Sequence, residues 1–186
     1  MGTRHPRDLG HDVEVFTLCT HSAADTEAIG AALAPLLRAG DVMLLMGELG
    51  SGKTVLTRGM VRALGSDDPV TSPTFTIMRH HHTATLSLIH MDAYRLNGPH
   101  EVEDLGLFEL LDQGAVAVIE WGDIVIDGIG PDHLDLRFHR VDDDWVDDDR
   151  VDDDERMIEV VLSGARWSAE SDALRVALAP WSVSPC

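Results

Sequence analysis

Apolar residues follow two different periods along this chain, and their order predicts an α/β fold. Residues 13–20 alternate apolar and polar side chains, which is typical of a strand with one buried face. Residues 42–46 and 115–121 are short and almost continuously apolar, as expected for central strands buried on both faces. Two further strands are predicted over residues 134–141 and 156–162.

Between these strands the apolar positions have helical spacing. The first set is Ile29, Ala32, Leu33, Leu36 and Leu37, and the second is Leu56, Gly59, Met60, Ala63 and Leu64. Pro35 should kink the first helix or end it early, because proline has no backbone N–H to donate. Helices are also predicted over residues 99–113 and 168–179. The whole pattern predicts an α/β sheet flanked by helices, with antiparallel strands at its C-terminal side.

A hairpin is predicted in the middle of the chain. Residues 75–79 and 85–90 form its two strands in this interpretation, and His80, His81 and His82 lie at its tip. We do not expect a zinc site here, because consecutive side chains of a strand point to opposite faces and cannot all reach one metal ion.

Length and composition predict one cytoplasmic domain. The chain has 186 residues, of which 44% are hydrophobic and 25% charged, so a single domain over residues 1–186 can bury a real core. No apolar run approaches the roughly 20 residues of a transmembrane helix. Residues 1–12 are polar and predict a flexible tail without the apolar region of a secretion signal. Two cysteines are too few for a disulfide framework.

The charge is strongly acidic. Acidic residues outnumber basic ones by 33 to 14, a formal net charge of −19, which disfavours direct binding to nucleic acid. Residues 142–155 contribute ten acidic residues and one arginine, within a repeat of Val-Asp-Asp-Asp that has a period of five. The repeat lacks the glycine and the glutamate that an EF-hand loop needs, so it predicts a solvated, low-complexity loop insertion and no calcium site.

The loop after residues 42–46 matches the phosphate-binding pattern G-x-x-x-x-G-K-[ST] in full. In such a loop, backbone N–H groups and the N-terminus of the following helix face an anion. Lys53, the only lysine of the chain, should reach the β- and γ-phosphates, and the Thr54 hydroxyl should ligate Mg²⁺. A plain glycine turn would not need this context of a buried strand and an amphipathic helix. The predicted nucleotide-binding residues here are Gly47, Glu48, Leu49, Gly50, Ser51, Gly52, Lys53, Thr54 and Val55.

Two carboxylates follow buried strands and are candidates for the rest of a metal site. Asp92 comes directly after the strand predicted at residues 85–90, and Glu120 lies at the end of the apolar run. A carboxylate in such a run is costly to bury unless it binds something. The structural alternatives are a turn cap at Asp92 and a buried ion pair at Glu120. The spacing leaves open which carboxylate contacts Mg²⁺ directly.

Four segments together resemble the TsaE (YjeE) family, small bacterial P-loop ATPases required to make N6-threonylcarbamoyladenosine in tRNA. In order they are Gly47–Thr54, Thr71–Phe75, His90–Leu96 and Ile119–Trp121. The combination S-P-T-F, H-x-D-x-Y-R and I-E-W is much more specific than the phosphate loop alone. The resemblance spans about residues 13–167 and implies a P-loop NTPase-like sheet.

The resemblance also implies roles for matching residues. Lys53, Asp92 and Glu120 would be catalytic, and Thr54, Asp92 and Glu120 would hold Mg²⁺. Trp121 would lie beside the nucleotide. Thr71–Phe75 would form a switch segment, and the region Thr17–Ile29 would help wall the base pocket. Where family members commonly have Pro-Glu or Ala-Glu after I-E-W, this chain has Gly122-Asp123, so Asp123 receives no role.

The family resemblance implies partners as well. TsaE proteins work with TsaB and TsaD, and the TsaD subunit transfers the threonylcarbamoyl group. This chain would therefore bind and hydrolyse ATP to reset or regulate that complex, and would reach tRNA only through it.

Three other classes of protein carry the same phosphate-binding motif. A GTPase needs an N-K-x-D segment to recognise guanine, and the only lysine already lies in the phosphate loop. A small-molecule kinase generally carries an arginine-rich lid, whereas the arginines near the C-terminus are scattered among acidic residues. A nucleotide-gated binding module with negligible turnover has the same loop and differs only in hydrolysis.

Overall fold

A seven-stranded mixed sheet is the centre of the fold. The computed structural model describes residues 14–140 and 155–182, so the predicted tail and the acidic repeat at residues 142–154 lie outside the described residues. The strands are β1 (Glu14–Thr20), β2 (Val42–Met46), β3 (Met78–His82), β4 (Ser87–Asp92), β5 (Val116–Glu120), β6 (His133–Arg140) and β7 (Arg156–Ser163). The helices are α1 (Ala23–Leu33), α2 (Lys53–Ala63), α3 (His100–Asp104), α4 (Leu107–Asp112), α5 (Gly164–Ser168) and α6 (Ser171–Leu178).

The strand order confirms the predicted sheet class. The order is β1-β7-β6-β2-β5-β4-β3. Strand β2 runs parallel to β5 and β6, and β4 runs parallel to β5. Strand β3 is antiparallel to β4 at one edge of the sheet, and β1 is antiparallel to β7 at the other edge. The antiparallel strands expected at the C-terminal side are β6 and β7. The carboxyl ends of β2, β5 and β4 therefore meet at one edge of the sheet, where ligands bind in open α/β sheets.

The core consists of two apolar layers, one on each face of the sheet. Met43 and Leu45 of β2 pack in one layer with buried residues of α1, α2 and α6. The alternate residues Val42 and Leu44 pack in the other layer with α3 and α4. This explains why β2 is apolar at every position, since a strand covered on both faces has no solvent side. No helix within the described ranges is long and apolar enough to cross a membrane.

Helix α1 ends early, as the position of Pro35 predicted. The Ser22 hydroxyl caps it by accepting a hydrogen bond from the backbone N–H of Asp25 (3.1 Å). The helix ends at Leu33, and Pro35 lies in a short 3₁₀ turn over Ala34–Leu36. Proline is thus placed where it costs no α-helical hydrogen bond.

The predicted hairpin is shifted along the sequence. Strand β3 covers Met78–His82, so the histidines belong to the strand and the tip lies at residues 83–86. The backbone N–H groups of Thr76 and Ile77 both donate to the Pro73 carbonyl, and Ile77 has φ +65°, which keeps residues 75–77 out of the ladder. Placing the histidines at the tip was wrong, because this local turn delays the strand.

Of two helices predicted in the second half of the chain, one is divided in the structure and the other is confirmed. The segment over residues 99–113 forms α3 and α4, which are separated at Gly106 with φ +74°. A glycine adopts this left-handed conformation without the cost of a side chain. The helix predicted over residues 168–179 is observed as α6, followed by a 3₁₀ turn over Ala179–Trp181. Helix α5, which precedes it, was not predicted, and Trp167 of α5 packs in the same apolar layer as Leu174 of α6.

Candidate active site

The candidate site lies at the shared carboxyl edge of the parallel strands. Strand β2 ends there and continues into the glycine loop, while Glu120 ends β5 and Asp92 ends β4. The sheet register pairs Glu120 with Leu45 on one side and with Asp92 on the other. The two carboxylates that the sequence singled out are therefore neighbours on adjacent strands, next to the phosphate loop.

The glycine loop has the backbone that its sequence predicts. Gly47 has φ +140° and Gly52 has φ +109°, conformations that residues with a side chain rarely adopt. A Cβ at Gly47 would also lie 2.7 Å from the Phe138 carbonyl oxygen, so only glycine fits between β2 and β6. Helix α2 begins at Lys53, and its N-terminus and dipole thus face the loop.

Lys53 is buried inside this loop, with 5% of its surface exposed. Its Nζ donates to the carbonyl oxygens of Gly47 (2.7 Å) and Glu48 (2.8 Å). Burial lowers the pKa of Lys53, whereas the negative charges of Glu120, Asp92 and Asp123 act to raise this pKa. An anion bound in the loop would add to these negative charges and stabilise the ammonium further.

Thr54 and Glu120 are in direct contact. The Thr54 hydroxyl donates to Glu120 Oε1 (2.6 Å), and the ring Nε2 of His90 lies 2.8 Å from the same oxygen. Glu120 is 3% exposed. Thr54 of the loop, His90 of β4 and Glu120 at the end of β5 thus form one hydrogen-bonded group.

Asp92 is bound to the loop that follows α2. The hydroxyls of Ser72 (2.9 Å) and Thr74 (2.6 Å) donate to its Oδ2, and its Oδ1 accepts from the backbone N–H of Tyr94 (3.0 Å). Ser72 also lies 3.5 Å from Glu120 Oε2. Both structural alternatives are therefore partly correct: Asp92 does cap a turn, and Glu120 has a histidine partner, while both carboxylates still face the site.

Aromatic side chains cover one side of the site. The Lys53 ammonium lies 4.4 Å from the ring centroid of Trp121, and the rings of Trp121 and Tyr94 are 5.1 Å apart. Trp121 has φ +58°, a strained backbone conformation for a residue with a large side chain. Such strain is found where the surrounding structure fixes a side chain for a task.

These groups surround a cavity of about 480 Å³, which is large enough for a nucleotide. Within the described part of the chain it is lined by Leu49, Gly50, Ser51, Gly52, Lys53, Thr54, Val55, Ser72, Thr74, Asp92, Tyr94, Glu120 and Trp121. Most of the predicted site residues are thus brought together. Gly47 and Glu48 do not line the cavity but bind Lys53 through their carbonyls. No residue of Thr17–Ile29 is in the lining.

The oxygen atoms around the cavity fit Mg²⁺. The hydroxyl of Thr54 and the carboxylates of Asp92 and Glu120 are hard oxygen donors, which this ion prefers. Over residues 14–140 and 155–182, no group of three or more His, Cys, Asp or Glu side chains could enclose a metal ion by itself.

Four residues at the site received no separate role from the sequence. His90 and Tyr94 belong to the H-x-D-x-Y-R motif, and Ser72 and Thr74 belong to S-P-T-F. Alternation along β4 could have placed His90 on the same face as Asp92. The hydroxyl contacts of Ser72 and Thr74 depend on the path of an irregular loop, which no periodic pattern encodes.

Comparison with known proteins identifies a family over this same region. Residues 20–150 match the family model described as "Threonylcarbamoyl adenosine biosynthesis protein TsaE". The tRNA threonylcarbamoyladenosine biosynthesis protein TsaE of Streptomyces coelicolor is 44% identical over 143 residues, which cover 75% of this chain and 92% of that protein. The Bacillus subtilis protein of the same name is 38% identical over 125 residues, or 67% of this chain and 78% of that protein.

A solved structure shares the fold. The crystal structure of Bacillus subtilis YdiB matches this chain with a TM-score of 0.73 at 29% identity, over 90% of this chain and 98% of that one. The match therefore extends over most of this chain.

Proposed function

The chain belongs to the TsaE family, whose name places it in tRNA threonylcarbamoyladenosine biosynthesis, and from this premise we propose that it is the Mg²⁺-dependent ATPase of that pathway. It binds ATP at the glycine loop and hydrolyses it to act on the complex that transfers the threonylcarbamoyl group. The partners in this proposal are TsaB and TsaD proteins.

One observation carries the proposal. Lys53, Thr54 and Glu120 line one cavity at the N-terminus of α2, and the Thr54 hydroxyl is hydrogen-bonded to the Glu120 carboxylate. The ammonium can bind phosphate, and the hydroxyl and the carboxylate can bind a divalent cation. The carboxylate can also act on the attacking water molecule. A glycine turn with a purely structural role would require none of these groups to face a common space.

Each of these residues has a separate role in hydrolysis. Backbone N–H groups of the glycine loop and the Lys53 ammonium bind the β- and γ-phosphates and stabilise the charge that develops on them. Thr54, with Asp92 or Glu120, would hold Mg²⁺, which supplies charge neutralisation when bound. Glu120 Oε2 accepts a proton from, or orients, the attacking water. Trp121 and Tyr94 shield the reacting groups from bulk solvent.

The net charge supports an indirect contact with tRNA. A net charge of −19 leaves few cations to neutralise RNA phosphates. Contact with tRNA therefore passes through the complex that this subunit serves. The small-molecule kinase alternative has little support, because no arginine lines the cavity in the described ranges.

A second candidate is a nucleotide-gated binding module with negligible turnover. It is favoured by three apolar side chains beside the cavity that remain exposed: Leu49 (84%), Phe75 (87%) and Tyr94 (59%). Exposed apolar groups next to a nucleotide site suit a protein whose partner contact depends on the bound nucleotide. The two candidates differ only in whether ATP is consumed.

Calorimetric titration tests the nucleotide assignment. Mg²⁺-ATP and Mg²⁺-ADP should bind with one-to-one stoichiometry, and Mg²⁺-GTP more weakly, because the chain has no guanine-recognition segment. Omitting Mg²⁺ should weaken ATP binding, since Thr54 and the carboxylates then lose the ion they hold. Equal affinity for ATP and GTP would contradict the adenine preference, and no binding of either would contradict the proposed site.

A further inference from the structure

A histidine lies directly behind the carboxylate proposed to act on water. His90 is fully buried in β4, two residues before Asp92, and its Nε2 is 2.8 Å from Glu120 Oε1. The sheet pairs His90 with Val118 and Asp92 with Glu120, so the imidazole lies one step below the site on the same face of the sheet. It does not line the cavity and cannot touch a nucleotide there.

The hydrogen bonds define which ring nitrogen carries the proton. Glu120 Oε1 also accepts the Thr54 hydroxyl at 2.6 Å, so it serves as an acceptor toward both neighbours. His90 Nε2–H is then the donor. The other ring nitrogen, Nδ1, is buried and has no hydrogen-bond partner in the described structure. The contact that holds the ring is therefore the hydrogen bond from Nε2 to Glu120.

We propose that His90 is a positioning residue that acts through Glu120. Its Nε2–H and the Thr54 hydroxyl fix Oε1 from two sides, which turns Oε2 toward the cavity and Ser72. The inference rests on the proposed function, because it concerns the carboxylate assigned to the attacking water. It adds a residue that received no role in the sequence analysis.

The buried pair is better explained by positioning than by stability. Replacing a buried polar pair by apolar side chains of similar volume often costs no stability. A carboxylate held by one hydrogen bond, however, can rotate, and a displacement of about 1 Å in a reacting group can cost on the order of 100-fold in rate. His90 thus changes the rate of the chemical step far more than it changes ATP binding.

Two substitutions separate these roles. His90→Leu removes the donor and keeps an apolar volume, whereas His90→Gln places an amide N–H near the position of Nε2. His82→Leu and His82→Gln are matched controls, because His82 is exposed on β3 and pairs with Ser87 at the opposite end of β4. ATP turnover with the partner proteins gives kcat and KM, and calorimetry gives the affinity for Mg²⁺-ADP.

We expect His90→Leu to lower kcat by about 10- to 100-fold with little change in KM or nucleotide affinity. His90→Gln should recover most of the loss, and both His82 variants should behave as the parent chain. A wild-type kcat in His90→Leu would overturn the proposal. An equal loss in the leucine and glutamine variants, or a loss in affinity with no loss in kcat, would also overturn it.

A spectroscopic measurement keeps the inference separate from the proposed ATPase activity and from any folding defect of the variants. Long-range ¹H–¹⁵N correlation of the histidine rings in the unmodified chain should show a proton on Nε2 of His90, and Glu120→Gln should shift that resonance. An Nε2 without a proton, or no response to Glu120→Gln, would overturn the positioning role. Absent ATP turnover beside the expected spectrum would refute the ATPase proposal alone and leave His90 as the residue that orients Glu120.

Discussion

Lys53 combines burial, hydrogen bonding and charge at one atom. Its Nζ is enclosed by two backbone carbonyls, and burial lowers its pKa although three carboxylates oppose this. Lys53→Ala should therefore abolish most Mg²⁺-ATP affinity, since the positive charge next to the phosphates is lost. Lys53→Arg should not restore it, because a planar guanidinium does not fit a nest built around a compact ammonium. Calorimetric titration with Mg²⁺-ATP measures both effects.

An exposed basic residue on the same helix provides the control for Lys53. Arg62 lies in the last turn of α2 and forms an ion pair with Glu27 at the surface. Arg62→Ala should leave nucleotide affinity unchanged, because surface ion pairs contribute little. If Lys53→Ala and Arg62→Ala bound Mg²⁺-ATP equally well, the phosphate site would not be where we place it.

Individual residues differ in how well the sequence predicted them. Lys53, Thr54, Asp92 and Glu120 belong to motifs or end apolar runs, and the structure brings all four to one cavity. The contact of His90 with Glu120 was not predicted, because it depends on the register between two strands that are far apart in the sequence. Pattern alone places a residue on a face of its own strand, whereas register decides which residue it meets.

At the scale of elements, α1 and α2 approach each other through glycine. A Cβ at Gly59 would lie 1.9 Å from the Glu27 carbonyl oxygen, and one at Gly30 would lie 2.0 Å from the Leu56 carbonyl oxygen. Gly59→Ala should thus force the helices apart and lower the free energy of unfolding by about 1–3 kcal/mol. This loss is the net effect, because alanine also gains about 1 kcal/mol over glycine in helix propensity, which offsets part of the cost of the clash. Urea unfolding measures the net change.

Gly130 is the matched control for the helix contact. A Cβ there would meet nothing within 4 Å, and its φ is not left-handed. Gly130→Ala should change the free energy of unfolding by no more than about 0.5 kcal/mol. A Gly59→Ala variant as stable as Gly130→Ala would show that α1 and α2 can separate freely.

Elements were predicted well where the apolar pattern was unbroken and poorly where a local turn set the boundary. Strand β2 was predicted over its whole length, because a strand buried on both faces is apolar throughout. The shift of β3 and the break at Gly106 each follow from the backbone conformation of one or two residues. Periodicity averages over such positions and therefore cannot locate them.

At the scale of the whole molecule, acidic charge is concentrated in one segment. Residues 142–154 carry nine acidic residues and one arginine. Arg140 pairs with Arg156 in the ladder of β6 and β7, so the two ends of the segment are already adjacent. Replacing residues 142–154 by Asn-Gly should close the hairpin and leave Mg²⁺-ATP affinity unchanged, because a solvated loop contributes little to the core.

The replacement variant should be titrated at physiological ionic strength. Salt then screens the long-range repulsion between the segment and the anionic nucleotide, so any remaining effect is local. Arg140 is retained, since its guanidinium lies near Gly50 of the phosphate loop. A large loss of affinity would mean that the acidic segment takes part in the nucleotide site.

The central claim is that ATP is hydrolysed at Glu120, and steady-state ATP turnover with TsaB and TsaD present tests it most directly. The parent chain should consume Mg²⁺-ATP. Glu120→Gln keeps the shape of the side chain and removes its charge, so it should lower kcat by about 10²- to 10⁴-fold while Mg²⁺-ADP still binds. Unchanged turnover in Glu120→Gln would make Glu120 a structural carboxylate, and absent turnover in the parent chain would leave a nucleotide-gated binding module.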